Sequence, residues 1–498
     1  MTKDNSFLKR FVEKDVFLIL LFFSVVLILI MHDGYYDLMK TKADLFTRFM
    51  YLFLPVCLFA IVYRLIHHRF SIKGFFEWSL LGLLISSFVS MMLSYDRLYA
   101  FNGKQGWYVG FFAIFSLIAV YFALKESSPV SDRFYLVPVL LFLFECILMI
   151  TDCARLDLFH LKTEFYEYQY YDYFATIGNC NWCVGCLSLS VPVMLCLYVL
   201  QEDQKKRSLF YAASLLGLLS SILNGADAIY LAYGLCFMAI IPFLFAQRIR
   251  LKRLAFLCVS VCISLLLIRV IPAFAERLSR LNGLGQWIMD LRFLLPCALV
   301  SLFVCLFLDG KKEKWYQKNR KKLIICTETI MAMIVVCAAV LALTRKDGDL
   351  GNGRLLIWAQ SWKAYTKRYS WKMRFFGIGP ELLNNVYAPL YERLGSYCVC
   401  SHSEPIQMLM TMGIFGLAFW LMLWFSVFAT YFKSKNDLAA ALSAGMIAYF
   451  GQSLVNSATI PNLVLLCLEA ILLNQAIRSS ERLDIIKKKS VKNSHKGG

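Results

Sequence analysis

Residues 1–31 read MTKDNSFLKRFVEKDVFLILLFFSVVLILIM. A charged segment with Lys3, Lys9, Arg10 and Lys14 leads into an apolar run from Val16 to Met31, interrupted only by Ser24. A signal peptide has the same order of charge and apolarity. No small-residue cleavage site follows the run, so the reading is a retained membrane anchor. The rest of the chain repeats the pattern. Of its 498 residues, 59% are hydrophobic, 15% aromatic and only 17% charged. Soluble domains are about half apolar, so the length argues for one polytopic membrane unit rather than several soluble domains.

A hydrocarbon core of roughly 30 Å takes about 20 apolar residues per helix, and about fourteen stretches are candidates. They cover 16–31, 47–65, 75–94, 107–124, 134–151, 182–200, 208–223, 227–246, 254–274, 291–308, 322–344, 406–432, 437–456 and 459–477. The fold class expected is all-α, a polytopic membrane helix bundle of about 12–14 transmembrane helices with one long extracytoplasmic loop. The expected organisation is helices 1–11 over 1–344, the loop over 345–405, helices 12–14 over 406–478 and a basic cytoplasmic tail over 479–498.

The net charge of +19 raises the question of nucleic acid. No zinc-finger spacing or P-loop supports that partner. Most Lys and Arg instead fall in short loops such as YRLIHHRFSIK (63–73), AQRIRLKR (246–253) and DGKKEKWYQKNRKK (309–322). The positive-inside rule accounts for them and puts both termini in the cytoplasm. Most of the seventeen cysteines sit in apolar runs, where Cys packs as a small hydrophobe. Cys153, Cys180, Cys398 and Cys400 lie near or in outer loops, where spacing alone does not decide pairing.

A loop of about 60 residues is uncommon in a compact protein and is usually functional. This one carries Arg354 in GNGRLLIW, the turn FGIGPE at 376–381, and SHSEP at 401–405. Trp358, Trp362, Tyr365 and Tyr369 recur at helical spacing, either as an interfacial stripe or as a packing face. Gly377 and Gly379 permit a close backbone approach to a ligand. His402 and Glu404 stand where an apolar helix begins. Ser403 or Glu404 suits a cap and Pro405 suits a first turn. An Arg that grips phosphate oxygens and an imidazole that accepts a proton near neutral pH also suit a lipid-phosphate substrate.

Three other outer-face stretches join this set. GNCNWCVGC (178–186) offers Asn179 and Asn181 as sugar contacts or helix caps. NGADAIYLAYG (224–234) places Asp227 at a helix start, as a cap or a site residue. Arg269 lies within an apolar run, where an ionisable group is a functional candidate unless it snorkels to the interface. Asp33 with Asp37, and Asp347 with Asp349, are too sparse to define a metal site. The aromatic run EFYEYQYYDYF (164–174) reads as an interfacial belt.

Taken together, these stretches resemble the O-antigen ligase and polymerase family of bacterial membrane glycosyltransferases. The resemblance covers most of the chain in span order and loop placement, and is most specific from about 350 to 420. There, Arg354 and Trp358, the Gly377/Gly379 turn, His402 with Ser403, and Gly413/Gly416 follow the family order. Gly178, Asn179 and Asn181 match its Gly-Asn-x-Asn stretch. Three positions depart from it. Ala226 and Asp227 stand where members often have Ser-Arg, and Ser403 replaces an Asn.

The resemblance implies glycosyl transfer from an undecaprenyl-diphosphate-linked oligosaccharide to a glycan acceptor at the outer face of the bacterial cytoplasmic membrane. The reaction would proceed with inversion, without metal, nucleotide or other cofactor. His402 would act as base, with Glu404 and Glu381 as alternatives. Arg354 would hold diphosphate, and Arg269 would replace the missing family Arg. Asn179, Asn181, Asp227, Trp358, Gly377 and Gly379 would line the substrate site. The lipid bilayer and other polysaccharide-assembly proteins are the remaining partners expected. A lipid-linked oligosaccharide flippase is the competing reading; it would show internal two-fold similarity, which this sequence lacks.

Overall fold

The computed structural model describes residues 4–32, 34–35, 37–103, 107–162, 169–281, 283–344, 353–391, 398–434 and 436–494. Asp33, Asp347, Asp349 and residues 164–168 of the aromatic run lie outside the described residues. The chain is 80% helical with almost no strand. It is an all-α bundle and a multi-pass membrane protein, as its composition requires.

We number the principal helices α1 (Val16–Leu29), α2 (Leu38–Ile66), α3 (Gly74–Leu93), α4 (Phe111–Leu124), α5 (Asp132–Cys153), α6 (Cys180–Leu200), α7 (Gln204–Asn224) and α8 (Ala228–Leu244). They continue as α9 (Arg248–Val270), α10 (Leu291–Asp309), α11 (Glu313–Thr344), α12 (Arg354–Lys367), α13 (Trp371–Phe376), α14 (Glu404–Lys433), α15 (Asp437–Ser453) and α16 (Ile460–Ser494). Among the described residues, eight helices are long and apolar enough to cross a membrane: α2, α3, α5, α6, α9, α10, α14 and α16. α4 and α8 are shorter apolar helices. The remaining apolar stretches of the sequence fall on α1, α7, α11 and α15.

Burial sorts these helices. α6 is the central one, packed by α7, α8, α15 and α16, whereas α10 meets mainly α9 and leaves most of its apolar surface outward. α15 is buried along almost its whole length. Its sequence explains this: Ala439, Ala440, Ala441, Ala444, Gly445, Ala448 and Gly451 give neighbouring backbones room to approach, as small residues do between membrane helices. A Cβ on Gly445 would run into the Leu189 carbonyl of α6, and one on Gly451 would meet the Ala232 backbone of α8 at 2.8 Å. At the end of α1, Lys42 donates to three freed carbonyls, Leu27 O (2.9 Å), Ile28 O (2.6 Å) and Ile30 O (3.2 Å). Those groups have no partner within the helix.

α14 is interrupted. Gly413 has φ 70° and ψ −165°, so the helix breaks one-third of the way along. The break lies against the turn after α13. A Cβ on Gly377 would strike the Thr411 backbone, and one on Gly413 the Phe375 backbone. Thr411 O accepts instead from Gly379 N (3.1 Å) and Ser90 Oγ (2.5 Å). Two chain segments thus cross at glycines, and the freed carbonyl is satisfied from α3 and the turn. In membranes such broken helices are tolerated only where neighbours take up the released backbone groups.

Candidate functional site

The segment between α11 and α14 folds onto the end of the bundle. Its first described helix, α12, buries Ile357, Ser361 and Ala364, at helical spacing. The aromatic stripe divides accordingly. Trp362 stays 63% exposed, Tyr369 is buried, and Trp358 donates from Nε1 to Ser401 O at 3.0 Å. Residues 377–383 are all buried, although they form an irregular turn. Loops normally run over the surface; this one packs into the bundle.

The turn delivers Glu381, whose φ of 62° is left-handed, a conformation that costs a non-glycine residue energy. Its Oε2 accepts from Trp107 N at 3.1 Å and its Oε1 from Gln407 Nε2 at 3.5 Å. Burial pushes its carboxyl up to about 8, opposed by the Trp107 hydrogen bond and assisted by Cys400. Gln407 Oε1 in turn accepts from Ser401 N (3.0 Å) and Ser401 Oγ (3.1 Å). Ser401 Oγ also donates to Ser403 O at 2.6 Å. The SHSEP segment is therefore held on both sides of His402.

His402 has a left-handed φ of 48° and is half-buried. Burial opposes its protonation, but the neighbouring Cys400 sulfur outweighs that, and the imidazole titrates above its ordinary value. Burial would push the Cys400 thiol up; the positive His402 beside it dominates, and the thiol falls to about 7. Ser457 and Trp107 also face this sulfur.

Arg354 opens α12 at the same place. Its Nη2 donates to Asn181 Oδ1 at 3.2 Å. Asp227, Cys180 and Cys400 all lie near enough to act on its charge, and Arg354 in turn opposes protonation of His402. Among the described residues Arg354 forms no ion pair within 4.0 Å. Asn179 is the N-cap of α6, its Oδ1 accepting from Asn181 N at 2.9 Å. The Asn181 amide also donates from Nδ2 to Asn179 Oδ1 at 3.4 Å, which turns its Oδ1 towards Arg354. Asp227 occupies the cap position of α8 but makes no side-chain cap; it faces Arg354 and the Gly283 backbone instead.

The structure thus brings together Arg354, Asn181, Asp227, His402 and Glu381, with Trp358 and the Gly377/Gly379 turn supporting them. Two residues stand apart. Arg269 donates to Met289 O at 2.6 Å. Glu404 turns into the bundle, where Tyr449 Oη (2.8 Å) and Trp420 Nε1 (3.2 Å) donate to its two oxygens. The described helix start has Ser403 at the N-cap position without a side-chain cap bond. Cys153, Cys180, Cys398 and Cys400 are free thiols.

The sequence reading missed several contributors. Asn456, in the turn between α15 and α16, donates from Nδ2 to Asn181 O at 2.9 Å. Ser457 beside it is buried, facing the Cys400 sulfur. Gln407 ties Glu381 to Ser401. The signal for the first two was the polar string GQSLVNSATIPN (451–462), which interrupts an otherwise apolar hairpin.

Below these residues lies a narrow cavity of about 170 Å³, bounded by α3, α4, α14 and α16. Glu381, Glu404, Gln407 and Ser457 stand among its polar lining, and Leu80, Leu83, Ile118, Trp424 and Leu466 among its apolar walls. No family model matches the chain, and no curated protein matches it.

Proposed function

We propose that this chain transfers a glycan from an undecaprenyl-diphosphate-linked donor to a hydroxyl acceptor at the membrane surface, as a polymerase or ligase of surface polysaccharide. The observation that carries this reading is Arg354. It is a half-buried cation held by a neutral amide, with Asp227 nearby but no ion pair within 4.0 Å among the described residues, beside a histidine and above an apolar slot. A cation so placed suits the negative charge that develops on a leaving diphosphate.

In this reading the acceptor O–H attacks the anomeric carbon as the bond to the diphosphate oxygen breaks, with inversion. His402 takes the acceptor proton. Arg354 binds the departing diphosphate, and Asn181, itself held by the Asn179 cap and Asn456, fixes the guanidinium. Glu381, with its carboxyl raised to about 8, is the second group able to exchange a proton near neutral pH.

The test is a transfer assay with the purified full chain, an undecaprenyl-diphosphate oligosaccharide and unlabelled acceptor glycan. Product is expected with wild type, and loss of at least about a hundredfold with Arg354→Ala. Wild-type protein that moves the donor across a vesicle bilayer without making product would replace this reading with a flippase.

A further inference from the structure

The slot under His402 has a neighbour along α14. A second cavity, of about 630 Å³, opens at the opposite end. Phe76, Tyr121 and Ala470 line both. Glu404 and Trp424, both on the slot wall, are twenty residues apart on α14, roughly 30 Å of helix. That is about the depth of a bilayer's hydrocarbon core. The passage is apolar for most of this length and narrow enough for one chain.

The far mouth has a different chemistry. Lys73, at the start of α3, and Lys433, at the end of α14, stand on its rim. Glu77 also lines it, but its charge is already matched by Lys125 Nζ at 2.7 Å. The Asn474 amide is used by Lys125 O (2.5 Å), and Asn436 Oδ1 by Leu438 N (2.8 Å). Neither Lys73 nor Lys433 is paired with a carboxylate among the described residues. What remains unpaired at this mouth, among the described residues, is two ammonium groups, with Thr430 beside them; the Ser434 hydroxyl is engaged with the Asn436 backbone.

We propose that this mouth binds an anionic phospholipid, with the headgroup phosphate between Lys73 and Lys433 and one acyl chain in the slot. Two features favour this occupant. Paired lysines at a membrane end attract a phosphate headgroup. The apolar passage directly behind them fits a chain continuous with that head. A prenyl chain entering from the His402 end would leave its apolar terminus in this polar mouth, a poorer match. The inference does not depend on the glycosyl-transfer reading.

The test uses the full chain in lipid nanodiscs and native mass spectrometry after release into neutral detergent. Phosphatidylglycerol and phosphatidylcholine of identical chains are the probes. Wild type is expected to retain one phosphatidylglycerol with about tenfold preference, and the Lys73→Gln/Lys433→Gln double variant to fall within about twofold of no preference. Both substitutions lie on exposed side chains, so the fold survives. Ala470→Phe, which narrows the shared wall and leaves both lysines, is expected to reduce retention as well. Equal retention of the two lipids by wild type would overturn the proposal. So would an unchanged preference in the double variant. Displacement of phosphatidylglycerol by millimolar inorganic phosphate would also overturn it, because the site would then be one for a free anion.

Discussion

Lys125 and Arg354 are two cations taken from water in opposite ways. Lys125 is 1% exposed, with Glu77 at 2.7 Å and Phe70 and Phe122 around its ammonium. Arg354 is half-buried, with a neutral Asn181 at 3.2 Å and no ion pair among the described residues. The first belongs to an end of the bundle where several charges are matched, Lys73 and Lys433 excepted. Arg250 meets Asp437 at 2.7 Å and Arg69 meets Glu13 at 2.6 Å there. The second belongs to a region where the backbone is also held in less favoured conformations, at Glu381 and His402. A paired buried charge serves the fold. A cation left with a neutral partner is available to a ligand, and left-handed backbone gathers where a site needs fixed geometry.

Mutations at the two cations should separate stability from activity. Glu77→Ala strands Lys125 in the interior and is expected to cost about 3–5 kcal/mol. Thermal unfolding of the detergent-solubilised protein reads this directly. Arg354→Ala is expected to leave the unfolding temperature nearly unchanged while lowering transfer by about 10²–10³. If both variants lost stability equally, the contrast between the two cations would fail.

Smaller effects sharpen the same contrast. Gly413→Ala places a Cβ against the Phe375 backbone at φ 70°, with an expected cost of about 1–3 kcal/mol. Ala substituted at Gly234, where a Cβ meets nothing within 4 Å, serves as the control. The mildest change is Cys400→Ser. The Cys400 sulfur raises the His402 imidazole above its ordinary value. A base must be neutral, so transfer falls as pH drops through the His402 value. Removing the thiolate lowers that value, and the acid limb of the pH–rate profile should move towards lower pH. An acid limb that stays put, or moves upward, would uncouple Cys400 from His402.

Much of the helix arrangement was legible in the sequence, because burial in lipid demands long apolar runs and those runs are plain in the residue order. The Ala- and Gly-rich face of α15 could be read in the same way. The site was legible in part. Arg354, Asn181 and His402 stand out as polar groups at the edges of apolar or aromatic segments. What composition does not carry is contact between distant segments. The Gly413 break depends on Phe375, and the position of Asn181 depends on Asn456 in another turn. Glu404 stands beside His402 in the sequence as a cap or an alternative base, yet the helix rotates it towards Tyr449 and Trp420. Arg269 sits at the expected helix end but spends its guanidinium on Met289 O.

The central claim is that Arg354 and His402 act together on a lipid-borne glycan. Its most direct test is the surface-glycan length ladder, with the lipid-linked pool, in cells lacking this chain and carrying wild type, Arg354→Ala or His402→Ala at equal membrane abundance. Wild type is expected to restore the ladder and both variants to fail. Accumulated single repeats would identify a polymerase, and accumulated long lipid-linked chains a ligase. A full ladder with either variant would contradict the account.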